Sequence, residues 1–175
     1  MITKNNTSRV MELFFKFPGR KFHLRELERI TGLSMPGVRK IAKRLEDEEL
    51  LLSKKENVVK NFFASRNEKF VSLKRSYNLY SIYDSGLLGL LRERYEEPEA
   101  IVLFGSYSKG EDTAESDIDI AVVTRKGVHV DLSKFEKVLE RKISVYEISI
   151  SKAEPEFINS IANGVVLHGY LKVIQ

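Results

Sequence analysis

The sequence predicts an α+β chain of two small domains, and three observations carry that expectation. Residues 7–48 hold apolar residues at helical spacing, broken by Pro18-Gly19 and Gly32, and two short β-type segments follow them. Further on, the short apolar runs Ile101–Phe104, Ile118–Val123 and Ile143–Ile150 alternate with helical stretches, as expected of a mixed sheet flanked by helices. Charge divides the same way: residues 1–80 carry 18 Lys+Arg against 9 Asp+Glu, and residues 81–175 carry 11 against 16. A basic half joined to an acidic half points to two domains with different partners. The boundary is expected near residue 80, giving domains 1–80 and 81–175.

With 175 residues, 42% hydrophobic and 31% charged, the composition is that of an ordinary globular protein. There is no Cys, which excludes a disulfide framework and a Cys-ligated zinc site. No apolar run approaches the length of a membrane span, and no signal-peptide core is evident, so no membrane partner and a cytoplasmic location are expected.

In the first domain, residues 1–6 read as frayed. Thr7 or Ser8 is expected to cap a helix running to about Phe17, with Val10, Leu13, Phe14 and Phe17 on its inner face. Lys21–His23 is a short strand or extended lead-in. A second helix covers Leu24–Thr31, with Leu24, Leu27 and Ile30 as its apolar stripe and Gly32 as its stop. Ser34 is the expected N-cap of a third helix, with Pro36 in its first turn, where the missing N–H costs nothing. Val38, Ile41, Ala42 and Leu45 form the inner face of that helix, while Arg39, Lys40, Lys43 and Arg44 form a basic outer face. Two strands then flank a turn expected at Lys54-Lys55-Glu56-Asn57.

Helix, short helix, Gly-containing turn and basic helix is helix-turn-helix order. The segment LRELERITGLSMPGVRKIAKRLEDEELL, followed by a hairpin, resembles the winged-helix family of bacterial and archaeal transcription factors. Duplex DNA is therefore the expected partner of residues 1–75. Ser34, Arg39, Lys40, Lys43 and Arg44 would act from the helix, and Lys54 and Lys55, with Lys60, from the wing. From Asn67 to Tyr95 the pattern is helical in two pieces, with a break at Asp84-Ser85-Gly86. Phe70, Leu73, Tyr77, Tyr80 and Tyr83 make the expected packing or homodimer face.

The second domain is organised around IVLFGSYSKGEDTAESDIDIAVV, residues 101–123. A short buried-type strand ends at Gly105, which permits a tight turn. Ser106 then opens a helix whose free N–H groups make an anion site. Asp117 and Asp119 lie two apart on the next strand, so both carboxylates face the same side. Side by side, these like charges repel, and a divalent cation relieves the repulsion. A lone DxD commonly just ends a loop. Here it stands ten residues beyond a Gly-Ser turn that follows an apolar strand, which is far more specific.

Gly105, Ser106, Gly110, Ser116, Asp117, Ile118 and Asp119 together resemble the signature of the polymerase-β-type nucleotidyltransferases, most closely their minimal archaeal and bacterial members. The full expectation is a winged helix-turn-helix followed by a small nucleotidyltransferase-fold domain. The resemblance implies an NTP substrate and Mg²⁺ or Mn²⁺ held by Asp117 and Asp119. It also implies nucleotide contacts from Gly105, Ser106 and Ser116, with Lys109 adding a cation.

It further implies a third catalytic acid on the strand ISVYEISI. Simple alignment puts Ser144 at that position, and the only acid on the strand is Glu147. Alternation sets Ser144, Tyr146 and Ile148 on one face and Glu147 on the other, so Glu147 joins the pair only through a bulge or another register. Nothing in the sequence names the acceptor. A DNA-binding regulator with a nucleotide-sensing or dimerising domain, and an antitoxin-like module that binds a partner protein, remain open alternatives. Past this strand, a helix is expected over Ala153–Ala162 and an extended tail over Val165–Leu171.

Overall fold

The computed structural model describes residues 5–173. The chain divides into two compact units, Met1–Ser72 and Leu73–Gln175, a division that falls ahead of the boundary expected near residue 80. Of the segment expected to fray, residues 1–4 lie outside the described residues, whereas Asn5 is the N-cap of the first helix. Its side chain accepts from the Ser8 N–H at 2.8 Å, so the cap is Asn5 and not Thr7 or Ser8.

The first unit runs α1 (Asn6–Lys16), β1 (Phe22–His23), α2 (Leu24–Thr31), α3 (Met35–Asp47), β2 (Leu51–Glu56) and β3 (Val59–Ala64). Its sheet is antiparallel in the order β1-β3-β2. Val10, Phe14, Leu27, Val38, Ala42 and Leu51 are fully enclosed, and Phe14 meets Phe22 edge to face at 5.1 Å. The expected inner faces hold in part: Leu13, Phe17 and Ile41 are half-buried, and Ile30 is exposed. The hairpin turn is tighter than expected. Lys54, Lys55 and Glu56 lie in β2, and Asn57-Val58 alone turn the chain, because Glu56 pairs directly with Val59 and Asn57 adopts a φ of 55°.

Helix α4 (Glu68–Ser85) follows, and Gly86, at φ 80°, separates it from α5 (Leu87–Arg94). Its buried row is Phe70, Lys74, Asn78 and Ile82, one residue per helical turn, not the expected Leu73 and tyrosine stripe; Leu73 and Tyr83 are exposed.

The second unit continues with β4 (Ala100–Phe104), α6 (Gly105–Lys109), β5 (Ile118–Val123), α7 (Ser133–Leu139) and β6 (Ile143–Ile148). A 3-10 turn (Ile150–Lys152), α8 (Pro155–Ala162) and β7 (Val165–Gly169) complete it. The sheet order is β6-β5-β4-β7, with β5 parallel to β6 and antiparallel to β4, so the sheet is mixed. The expected C-terminal tail is instead the edge strand β7, antiparallel to β4.

The two sheet faces differ. Ile101, Leu103, Ile118, Ile120 and Val122 point into a large core that includes Ile82, Leu87 and Leu91 from α4 and α5 and Phe135 from α7. Ala100, Val102, Phe104, Ala121 and Val123 point the other way, into a smaller core closed by Ile161 and Phe157 of α8. Strand alternation thus places Asp119 on the smaller-core face, next to Phe104 on β4 and Ser144 on β6. No helix among the described residues is long and apolar enough to cross a membrane.

Candidate active site

Strand β4 is wholly buried and ends where Gly105 takes a φ of 71°, a conformation only glycine adopts without strain. Gly105 also has no room for a side chain: a Cβ there would lie 2.4 Å from Asp119 Oδ2. The Gly-Ser turn and the second aspartate of the pair are therefore in direct apposition. Asp117 stands just ahead of β5 and Asp119 within it, both half-buried. Burial, and after it the charge of Asp117, pushes the Asp119 carboxyl above the usual carboxylate range, while the Tyr146 hydroxyl pulls the other way.

The flank of the pair formed by β6 carries hydroxyls. Ser144 Oγ donates to Asp117 Oδ2 at 3.1 Å, and Tyr146 Oη lies 3.5 Å from Asp119 Oδ1, the outer limit of a hydrogen bond. Glu147 is not brought to the pair. The strand is regular, with Val122 opposite Glu147, so its side chain points to the other face. There Glu147 Oε1 accepts from Tyr95 Oη at 2.7 Å and from the Val128 N–H at 2.7 Å. Among the described residues no group of three His, Cys, Asp or Glu side chains is placed to hold a metal; Asp117 and Asp119 stand as two.

Other expected site residues take quieter places. Ser106 is half-buried in the first turn of α6, and Lys109 is exposed in its last. The Ser116 hydroxyl accepts from the Thr113 N–H at 3.0 Å and so shapes the loop before Asp117. A cleft of about 520 Å³ adjoins Ser116 and Asp117, lined in part by Lys137, Arg141 and Lys142.

Sequence reasoning missed the support beneath the loop that joins α6 to Asp117. Asp112 is buried, and Lys74 Nζ donates both to its carboxylate and, at 2.7 Å, to its backbone carbonyl. Asn78 Nδ2 donates to Asp112 Oδ1 at 2.7 Å and to the Tyr107 carbonyl at 2.9 Å. Arg141 approaches Asp112 Oδ2 at 3.7 Å. The available signal was a Lys and an Asn one turn apart in the i, i+4 row of Phe70 and Ile82.

In the first unit, Ser34 is the N-cap residue of α3, without a side-chain capping bond, and Arg39, Lys40, Lys43 and Arg44 are all exposed on that helix. Arg44 pairs with Glu48 at 3.0 Å, and Lys43 stands 3.9 Å from Asp47. Lys54 and Lys55 are exposed on β2, whereas Lys60 is tied to Glu46 of α3 at 2.7 Å.

Comparison with known proteins agrees with the geometry of the second unit. A stretch of 51 residues, 29% of this chain, is 39% identical to the "Putative protein adenylyltransferase MJ1379" of Methanocaldococcus jannaschii. The chain spans half the length of that relative. Residues 90–170, which contain the turn, the carboxylate pair and the whole four-stranded sheet, match the family Polymerase beta, Nucleotidyltransferase, so this segment is a nucleotidyltransferase-type domain.

Proposed function

We propose that the second unit binds an NTP with Mg²⁺ or Mn²⁺ and transfers a nucleoside monophosphate to a hydroxyl acceptor, and that the first unit is a winged helix that binds duplex DNA. The observation that carries the catalytic reading is the apposition of Gly105 and Asp119 with Asp117 beside them. Two half-buried carboxylates, with burial and then the charge of Asp117 raising the pKa of Asp119, suit a divalent cation, and Asp117 and Asp119 would hold it. When bound, the metal offsets the negative charge of the phosphates. Everything else is positioning, the main resource of phosphoryl transfer. Gly105 lets the backbone come close to the phosphates, and Ser106 offers an N–H and a hydroxyl to them.

The strand β6 supports a second reading, a DNA-binding regulator whose transferase domain turns over slowly. Ser144 and Tyr146 face the pair where the resemblance implies an acid, and Glu147 is engaged on the opposite face. Turnover of each NTP by the wild type, Glu147→Gln and Ser144→Asp separates the two. Slow wild-type transfer, unchanged in Glu147→Gln and accelerated in Ser144→Asp, is expected. Rapid wild-type transfer abolished by Glu147→Gln would overturn the placement of Glu147 outside the catalytic group.

A further inference from the structure

We infer that Tyr146 is a modification site: its phenolic oxygen is the acceptor of a nucleoside monophosphate transferred within the chain from the NTP bound at the Asp pair. The inference rests on the nucleotidyltransferase reading above and adds the identity of an acceptor to it.

Three features of the site lead to Tyr146. The first is position across the sheet. Asp119 sits on the middle strand of the site, with Phe104 and the Gly105 turn on its β4 flank and Ser144 and Tyr146 on its β6 flank. Displacement at the α-phosphorus is in line, so the departing pyrophosphate and the attacking oxygen lie on opposite sides of it. With the phosphates on the β4 flank, the attacking oxygen comes from the β6 flank.

The second feature is reach. Tyr146 Oη is already 3.5 Å from Asp119 Oδ1, so it stands at the edge of the pair that would hold the metal. The residue is 41% exposed. Ser144 is shorter, and its hydroxyl donates to Asp117 at 3.1 Å.

Third, the ring is held in place. It packs against Phe104 at 5.5 Å, edge on, and against Phe157 of α8 at 5.7 Å. Phe104 immediately precedes Gly105, so the ring that orients the acceptor belongs to the strand that presents the phosphate turn. A hydroxyl fixed beside a bound reactant needs no bimolecular encounter, and such pre-orientation is the largest advantage an acceptor can have.

The step balances without another reactant. A bond forms between Tyr146 Oη and the α-phosphorus, and the bond from that phosphorus to the bridging oxygen breaks. Pyrophosphate leaves with the electron pair, and the phenolic proton passes to water. The product is a tyrosyl nucleoside monophosphate ester that fills the acceptor side, so each chain reacts once.

The test incubates the full chain with each of the four NTPs, labelled at the α-phosphate, in Mg²⁺ or Mn²⁺. Label that survives denaturation is mapped by tandem mass spectrometry. Expected are one nucleoside monophosphate per chain on Tyr146, a labelled fraction independent of protein concentration, and loss of label in Tyr146→Phe and Asp119→Asn. Tyr146→Phe keeps the aromatic packing, so its melting temperature should match the wild type, and calorimetry should still show Mg·NTP binding. Label on another residue, label persisting in Tyr146→Phe, or transfer only to an added acceptor would overturn the inference and leave the transferase reading standing. Absence of any NTP binding would overturn both.

Discussion

Asp119 is where stability and the proposed function pull apart. Its carboxyl is partly desolvated and shares a strand face with Asp117, so its ionisation is disfavoured in the fold. The sign follows directly. A folded-state pKa above the unfolded value means that the stabilising contribution is present at low pH and is lost as pH rises through the carboxylate range. In chelator at pH 7, Asp119→Asn should therefore raise stability, by about 0.5 kcal/mol because solvent screens the pair in part. Thermal melts check this. Mg²⁺ should raise the melting temperature of the wild type and leave that of Asp119→Asn unmoved. The opposite constraint acts at Gly105, where Ala meets both a left-handed backbone and Asp119 Oδ2. Gly105→Ala should cost at least about 1–2 kcal/mol in denaturant unfolding.

Among the elements, the loop from α6 to Asp117 depends on α4. Lys74 and Asn78 of that helix hold Asp112 and the Tyr107 carbonyl together, and Lys74 and Asp112 are almost wholly removed from water. Removing one partner of a buried ion pair strands the other, so Lys74→Met should destabilise the protein by about 3–5 kcal/mol in urea unfolding. A loss below about 1 kcal/mol, the size typical of a surface pair, would show the cluster to be solvated. This support was hidden in the sequence because hydropathy counts Lys74 and Asn78 as outward-facing, which shifted the expected inner row to Leu73 and the tyrosines. Strand β7 was hidden for another reason: its pairing with β4 is non-local and shifts register between Ile101 and Val102, so Val165–Gly169 alone shows only an extended apolar run. By contrast, Gly105, Ser106, Asp117 and Asp119 were legible, because a turn residue and a two-residue alternation are local properties. The same alternation placed Ser144 and Tyr146, not Glu147, beside the pair, and the unbulged pairing of β5 with β6 bears that out.

At the scale of the whole molecule, a net charge of +4 conceals a basic N-terminal part and an acidic remainder, and each part carries its own prediction. Arg39, Lys40, Lys43 and Arg44 are exposed on α3, so the DNA binding proposed for the first unit should weaken steeply as salt rises. Replacing Arg39 and Lys43 with Ala should weaken binding by about 1–3 kcal/mol for each contact that reads a base, measured by gel-shift titration. Undiminished affinity in that double variant would exclude α3 as the reader. For the acidic part, the most direct measurement is calorimetric titration of each NTP into the full chain, with Mg²⁺ and with chelator, for the wild type and Asp119→Asn. Binding of at least one NTP that requires the divalent cation and disappears in Asp119→Asn is the predicted result. Equal binding in chelator, or undiminished binding by Asp119→Asn, would contradict a metal–nucleotide site at Gly105, Asp117 and Asp119.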